Sequence, residues 1–109
     1  PVEHGAGADV NFTNKVVFVA TADGNVAQTN TATKVALLIQ GASDALALDS
    51  GGKGIVIGGD DSTATAGAII YFVDDTLDGV NGTVSAADVV PVASATIDID
   101  TILAANIVF

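Results

Sequence analysis

The densest run of hard oxygen donors lies between Asp74 and Asp88, Asp74-Asp75-Thr76-Leu77-Asp78-Gly79-Val80-Asn81-Gly82-Thr83-Val84-Ser85-Ala86-Ala87-Asp88. Carboxylate and amide oxygens are the ligands that Ca2+ prefers. A calcium loop of about a dozen residues sets oxygens at its first, third and fifth places, glycine at the sixth and an acid at the last. Asn81 and Gly82 suit the fifth and sixth places, Val84 an apolar eighth, and Asp88 the last. Upstream, Asp75 and Asp78 supply the oxygens, but each gap on the way to Asn81, from Asp75 to Asp78 and from Asp78 to Asn81, is one residue longer than that pattern asks. Asp74, Asp75, Asp78, Asn81 and Asp88 are therefore the candidate metal ligands, with Ca2+ as the cofactor. The same stretch also suits a bare hairpin turn, because Asp78-Gly79 and Asn81-Gly82 are both strong turn dipeptides.

Other constellations are weaker. Gly51-Gly52-Lys53-Gly54 opens like a glycine-rich calcium nonapeptide, but Val56 stands where an Asp is needed and the pattern does not recur. Asp60-Asp61 remains a candidate second cation site. Asp98 and Asp100 share one face of an alternating stretch with Ile97 and Ile99 on the other, which reads as a solvated sheet face more readily than as an acid/base pair. His4, beside Glu3, is the one imidazole, and a nucleophile, base and orienter cannot be assembled around it. With no Arg and three Lys, little could stabilise an anionic transition state. No phosphate-binding loop is present, and enzymatic activity is not expected. An intramolecular amide between Lys15 and Asn106 is conceivable from their positions in the first and last apolar stretches, and would show as the loss of one ammonia.

The elements that must hold these residues are short apolar stretches separated by turn signals. Val10–Ala22, centred on Lys15–Ala20, then Lys34–Ile39, Ala45–Leu48 (in preference to one helical turn), Lys53–Ile57, Ala68–Val73, Val89–Ala93, Ala95–Asp100 and Asn106–Phe109 read as strands, the second of them spanning Lys34-Val35-Ala36-Leu37-Leu38-Ile39. Pro91 suits a sheet edge. Helical turns at most are expected, at Ser85–Asp88 with Ser85 as N-cap, and at Thr101–Ala105. The expected fold is all-β, an antiparallel β-sandwich or barrel-like domain, with residues 1–9 as an extended arm and 10–109 as a single β-sandwich domain. Period-two alternation places Val17, Val19, Val35, Leu37, Ile39, Ile55, Ile57, Ile70, Phe72, Ile97 and Ile99 inward.

Composition narrows the partners. The 109 residues carry 13 acids against three Lys, a net charge of −10, and half are apolar. Twelve of the acids are Asp, a residue of turns, caps and metal loops, where Glu would favour helix. Nucleic acid and anionic membrane surfaces would repel such a chain, whereas divalent cations would neutralise it. No apolar run approaches the length of a membrane helix, so no membrane insertion is expected. Residues 1–9 do not read as a basic, apolar leader. Without Cys there is no disulfide framework or thiolate chemistry.

Residues 53–109 resemble the β-strand repeat modules of large secreted bacterial proteins of the surface-layer, adhesin and type I-secreted calcium-binding kinds. The residues carrying the resemblance are Ala68–Val73, the Asp/Gly-rich loop, Val84-Ser85-Ala86-Ala87-Asp88-Val89, and Ile97-Asp98-Ile99-Asp100-Thr101 through Ala104-Ala105-Asn106-Ile107-Val108-Phe109. The stretch Asn81–Asp88 is also similar to the second half of a dockerin-type calcium loop, and Asn106–Phe109 to the polar-then-apolar ends of type I secretion substrates. The resemblance implies an extracellular or cell-surface location and calcium binding. The function expected is that of a non-catalytic structural subunit or module of a surface layer or filament, associating with copies of itself through strand edges. The alternative is a viral capsid decoration (cement) protein, also small, β-rich and non-catalytic.

Overall fold

A computed structural model of the chain describes residues 2–4, 10–19, 31–40, 46–60 and 67–95. Strands dominate them. They are β1 (Val2–His4), β2 (Val10–Asn11), β3 (Val16–Val19), β4 (Leu46–Ala47), β5 (Lys53–Asp60), β6 (Gly67–Asp74) and β7 (Val89–Ala95), with one α-helix, α1 (Ala32–Gln40), and a 3-10 turn at Ala86–Asp88. β1, β3, β5, β6 and β7 lie side by side in that order in one sheet, and β2 and β4 pair separately.

The sheet is mixed, where an antiparallel one is expected from the sequence. β1 runs parallel to β3, and β3 to β5. The reason is the long connection between β3 and β5, which contains α1. A crossover of that length returns the chain in the same direction, as a two-residue turn cannot. β5 and β6 then form a hairpin paired over its full length, from Lys53 opposite Asp74 to Asp60 opposite Gly67. β7 continues antiparallel to β6, with a register shift where Ile70 faces Ala93 and Tyr71 faces Pro91. Pro91 has no N–H to donate, and an irregularity of this kind is where a strand tolerates it. Among the described residues, neither sheet closes into a barrel.

α1 replaces the strand expected at Lys34–Ile39. Ala and Leu in that run are good helix formers, and the run contains no glycine or proline. Thr31 caps it: its Oγ1 accepts from the Lys34 N–H at 3.2 Å and its carbonyl from the Val35 N–H at 3.0 Å. With helical periodicity Ala32, Val35, Ala36 and Ile39 fall on one face, and these contribute to the core or pack against it. Leu37, expected inward, turns out on the opposite side and is 62% exposed.

The core consists of Phe12, Val17, Val19, Val35, Ala36, Leu46, Val56, Tyr71, Val73, Val84 and Val89. Val17 and Val19 are inward as expected. In β6 the phase is the reverse of the expected one: Tyr71 and Val73 are buried, while Ile70 and Phe72 are half-buried. In β5, Val56 is fully buried, Ile57 nearly so, and Ile55 half-buried. Both faces of this hairpin are apolar, so alternation carries no phase to read. Burial pushes the Tyr71 hydroxyl up to about 12. Gly54 lies against the Phe12 ring, where a Cβ would overlap ring carbons and sit 2.7 Å from the Phe12 carbonyl oxygen. Ile97 and Ile99 lie outside the described residues.

Candidate functional site

The loop from Asp74 to Asp88 joins β6 to β7, and the β5–β6 pairing delivers its first acids. Asp74 faces Lys53 across the two strands, and Lys53 Nζ meets its Oδ2 at 2.9 Å. Asp74 Oδ1 accepts from the Thr76 hydroxyl at 2.7 Å and the Thr76 N–H at 3.0 Å. The hydroxyl bond from Thr76, followed by Lys53, holds this carboxyl below the usual carboxylate range, against the opposing effect of desolvation.

Asp75 is 1% exposed and ties two turns together. Its Oδ2 accepts the Gly51 N–H at 2.8 Å and the Gly82 N–H at 2.5 Å, and its own N–H donates to the Gly52 carbonyl at 3.0 Å. Positive φ at Gly51 and Gly82 shapes both turns. The other oxygen, Oδ1, is buried without a hydrogen-bond partner. Asp75 also lines a surface cavity of about 390 Å³ with Ile39, Leu48, Gly82, Thr83 and Val84.

Asp88, fully buried, organises the loop's second half. Its Oδ1 accepts the Asp78 N–H at 2.9 Å, and its Oδ2 the Ser85 N–H at 2.9 Å. Ser85 is the N-cap of the 3-10 turn and forms a capping box with Asp88, so the helical turn expected at Ser85–Asp88 is present with that cap. The Ser85 Oγ lies 2.9 Å from Asp78 Oδ2 and 3.2 Å from Asp88 Oδ2, so its one proton serves them in turn. Asp78 is exposed, and its Oδ1 accepts the Val80 N–H at 2.7 Å. Asn81 is exposed, with its amide beside Gly51.

The five candidate ligands thus share one loop but do not converge: Asp74 is held by Lys53 and Thr76, Asp75 by the Gly51 and Gly82 turns with Asn81 beside Gly51, and Asp88 is grouped with Asp78 and Ser85. Among the described residues no three His, Cys, Asp or Glu side chains gather closely enough to hold a metal ion. Most carboxylate lone pairs here face N–H or O–H donors, and Asp75 Oδ1 is the buried oxygen left over. Its chemistry fits a hard cation, whereas the spread of the other donors does not form a calcium shell in this geometry. Residues that the spacing argument does not find are Gly51, Thr76 and Lys53. The turn at Asp49–Gly52 is legible, but its bond to Asp75 is not. Asp61, Asp98, Asp100 and Asn106 lie outside the described residues.

Comparison with known protein families, with curated proteins and with solved structures finds no match. No helix among the described residues is long and apolar enough to cross a membrane.

Proposed function

We propose that this chain is a non-catalytic structural module of a bacterial extracellular assembly, a surface layer or filament, that associates with its own copies through sheet edges. The observation carrying this reading is β7. Among the described residues it has a strand neighbour on one side, β6, and it presents Val90 and Val92 at 39% and 59% exposure. A strand edge bearing apolar side chains is a template for pairing with another chain. The finer description of the fold as a β-sandwich belongs to the same proposal, supported by the alternation of Ile97 and Ile99 with Asp98 and Asp100. The acidic surface that repels nucleic acid favours calcium as the counter-charge, and Asp75 Oδ1 is the oxygen that a cation would satisfy, with Asn81 and Asp78 as further donors if the loop rearranged around it.

Electron microscopy and sedimentation of the purified protein, with calcium and with chelator, test the proposal. Filaments or sheets that are lost in Val92→Lys, with the fold retained, support it. A monomer under every condition sinks it, and binding to capsids alone would favour the decoration-protein alternative. The calcium part is separable: calcium should raise the melting temperature, and Asp75→Asn should abolish the rise. A melting temperature indifferent to chelator leaves the loop as a plain turn.

A further inference from the structure

Asn81-Gly82 is the sequence pair most prone to spontaneous deamidation, because glycine leaves the following backbone nitrogen unhindered. In this reaction the Gly82 N–H gives its proton to hydroxide, and the nitrogen's lone pair attacks Asn81 Cγ. Nδ2 takes a proton from water, which restores hydroxide, the Cγ–Nδ2 bond breaks and ammonia leaves. Water then opens the cyclic imide at either carbonyl, giving aspartate or isoaspartate. Asn81 is exposed, so water and hydroxide reach it. The nitrogen that must react is, however, engaged: the Gly82 N–H donates to Asp75 Oδ2 at 2.5 Å.

We propose that Asn81-Gly82 is a latent deamidation site that the Asp75 carboxylate holds shut. Removing the Gly82 proton would leave an amide anion against a carboxylate that is 1% exposed, where little water screens the repulsion. It would also break a hydrogen bond to a charged acceptor, one of the stronger kinds. Asp75 therefore guards the site by keeping the nucleophile protonated. Conversion would place a new acid, or an extra backbone methylene, beside the Gly82 N–H. Because Asp75 Oδ2 also holds the Gly51 N–H, both turns would loosen together. This inference does not rest on assembly, and because Asp75 and Asn81 are also the proposed cation donors, the rates are measured in chelator.

Peptide mapping that separates aspartate and isoaspartate products at residue 81, on protein aged at neutral pH, reads the rate. Native wild-type protein should convert at least about tenfold more slowly than the same chain unfolded in guanidinium, tenfold corresponding to about 1.4 kcal/mol. Folded Asp75→Asn should convert about tenfold faster than native wild type. Asp78→Asn, which replaces an exposed loop carboxylate that does not touch the Gly82 N–H, should stay close to wild type. The proposal is overturned if native and unfolded chains convert alike, or if Asp78→Asn accelerates as much as Asp75→Asn. It is also overturned if Asp75→Asn slows the reaction, since the carboxylate would then be acting as a base. Should Asp75→Asn fail to fold, the comparison of native with unfolded wild type decides alone.

Discussion

Replacing Asp88 by alanine isolates the buried carboxylate that organises the second half of the loop. Three donors point at it: the Asp78 N–H and the Ser85 N–H, each at 2.9 Å, and the Ser85 hydroxyl at 3.2 Å. The hydroxyl keeps Asp78 Oδ2 as a partner at 2.9 Å, so its loss costs little. The two N–H groups have no second acceptor of that kind. A hydrogen bond to a charged group is worth about 1.5–3 kcal/mol, so the pair sums to about 3–6 kcal/mol. Asp78 is exposed, and water will replace part of its bond, which places the expected loss near the bottom of that range, at about 3 kcal/mol. For a chain of this size that corresponds to a melting temperature lower by about 12 °C. The assay is urea and thermal unfolding followed by circular dichroism, in chelator so that bound cations do not contribute. Asp78→Ala is the internal control. Its carboxylate is solvated and accepts from Val80 and Ser85, so its removal should cost about 1 kcal/mol or less. Equal losses for the two variants, or a loss below about 1 kcal/mol for Asp88→Ala, would refute the view that burial of the acceptor holds the loop.

Three further outcomes follow from the packing and the charges. Gly54→Ala should destabilise by about 3 kcal/mol in urea unfolding, since the new methyl overlaps the buried Phe12 ring and cannot move away from the Phe12 carbonyl. Gly79→Ala, whose methyl would meet nothing but whose φ is +82°, should cost only about 1 kcal/mol. Asp74 titrates below its ordinary 3.8, chiefly through the Thr76 hydroxyl, so its contribution to stability is present above that value and disappears as pH falls through the lowered one. Thr76→Val should therefore melt below wild type at neutral pH, and the gap should close in acid. A gap that widens as pH falls would contradict the sign.

The strands around the loop are legible in the sequence because their cues are local. Lys53–Asp60, Gly67–Asp74 and Val89–Ala95 are apolar, β-branched or aromatic runs bounded by turn residues. The single strand expected over Val10–Ala22 is instead broken into β2 and β3 by a turn at Thr13–Lys15, where Asn14 takes positive φ and the Lys15 N–H donates to the Phe12 carbonyl. What is not legible is decided at a distance. Val35–Ile39 is an apolar run that either period could explain. Only the core that it meets, together with the Thr31 cap, selects the helical face that turns Leu37 outward. The phase of β6 is hidden for a related reason, since Ile69-Ile70-Tyr71-Phe72-Val73 offers apolar side chains to both faces.

The acidic loop shows the same division between local and distant information. Its Asp and Gly residues announce a dense set of acceptors in a turn-rich segment, but aspartates arranged to bind a cation and aspartates arranged to bind backbone N–H groups have the same composition and nearly the same spacing. The choice depends on where the donors are. At Asp75 the deciding donor is the Gly51 N–H, 24 residues away in sequence, brought into reach because the β5–β6 register sets the Asp49–Gly52 turn beside the end of β6. At Asp88 the donors are local, the Asp78 and Ser85 N–H groups, and a capping box at Ser85–Asp88 could be read from the sequence once Asp88 is treated as an acceptor for the backbone. The two acids are therefore not equivalent. Both Asp88 oxygens are used within the fold, whereas Asp75 buries one oxygen without a partner, which costs stability wherever nothing fills the gap. That asymmetry makes Asp75 the residue at which a bound cation would change the loop most, and Asp88 the residue on which its folding depends.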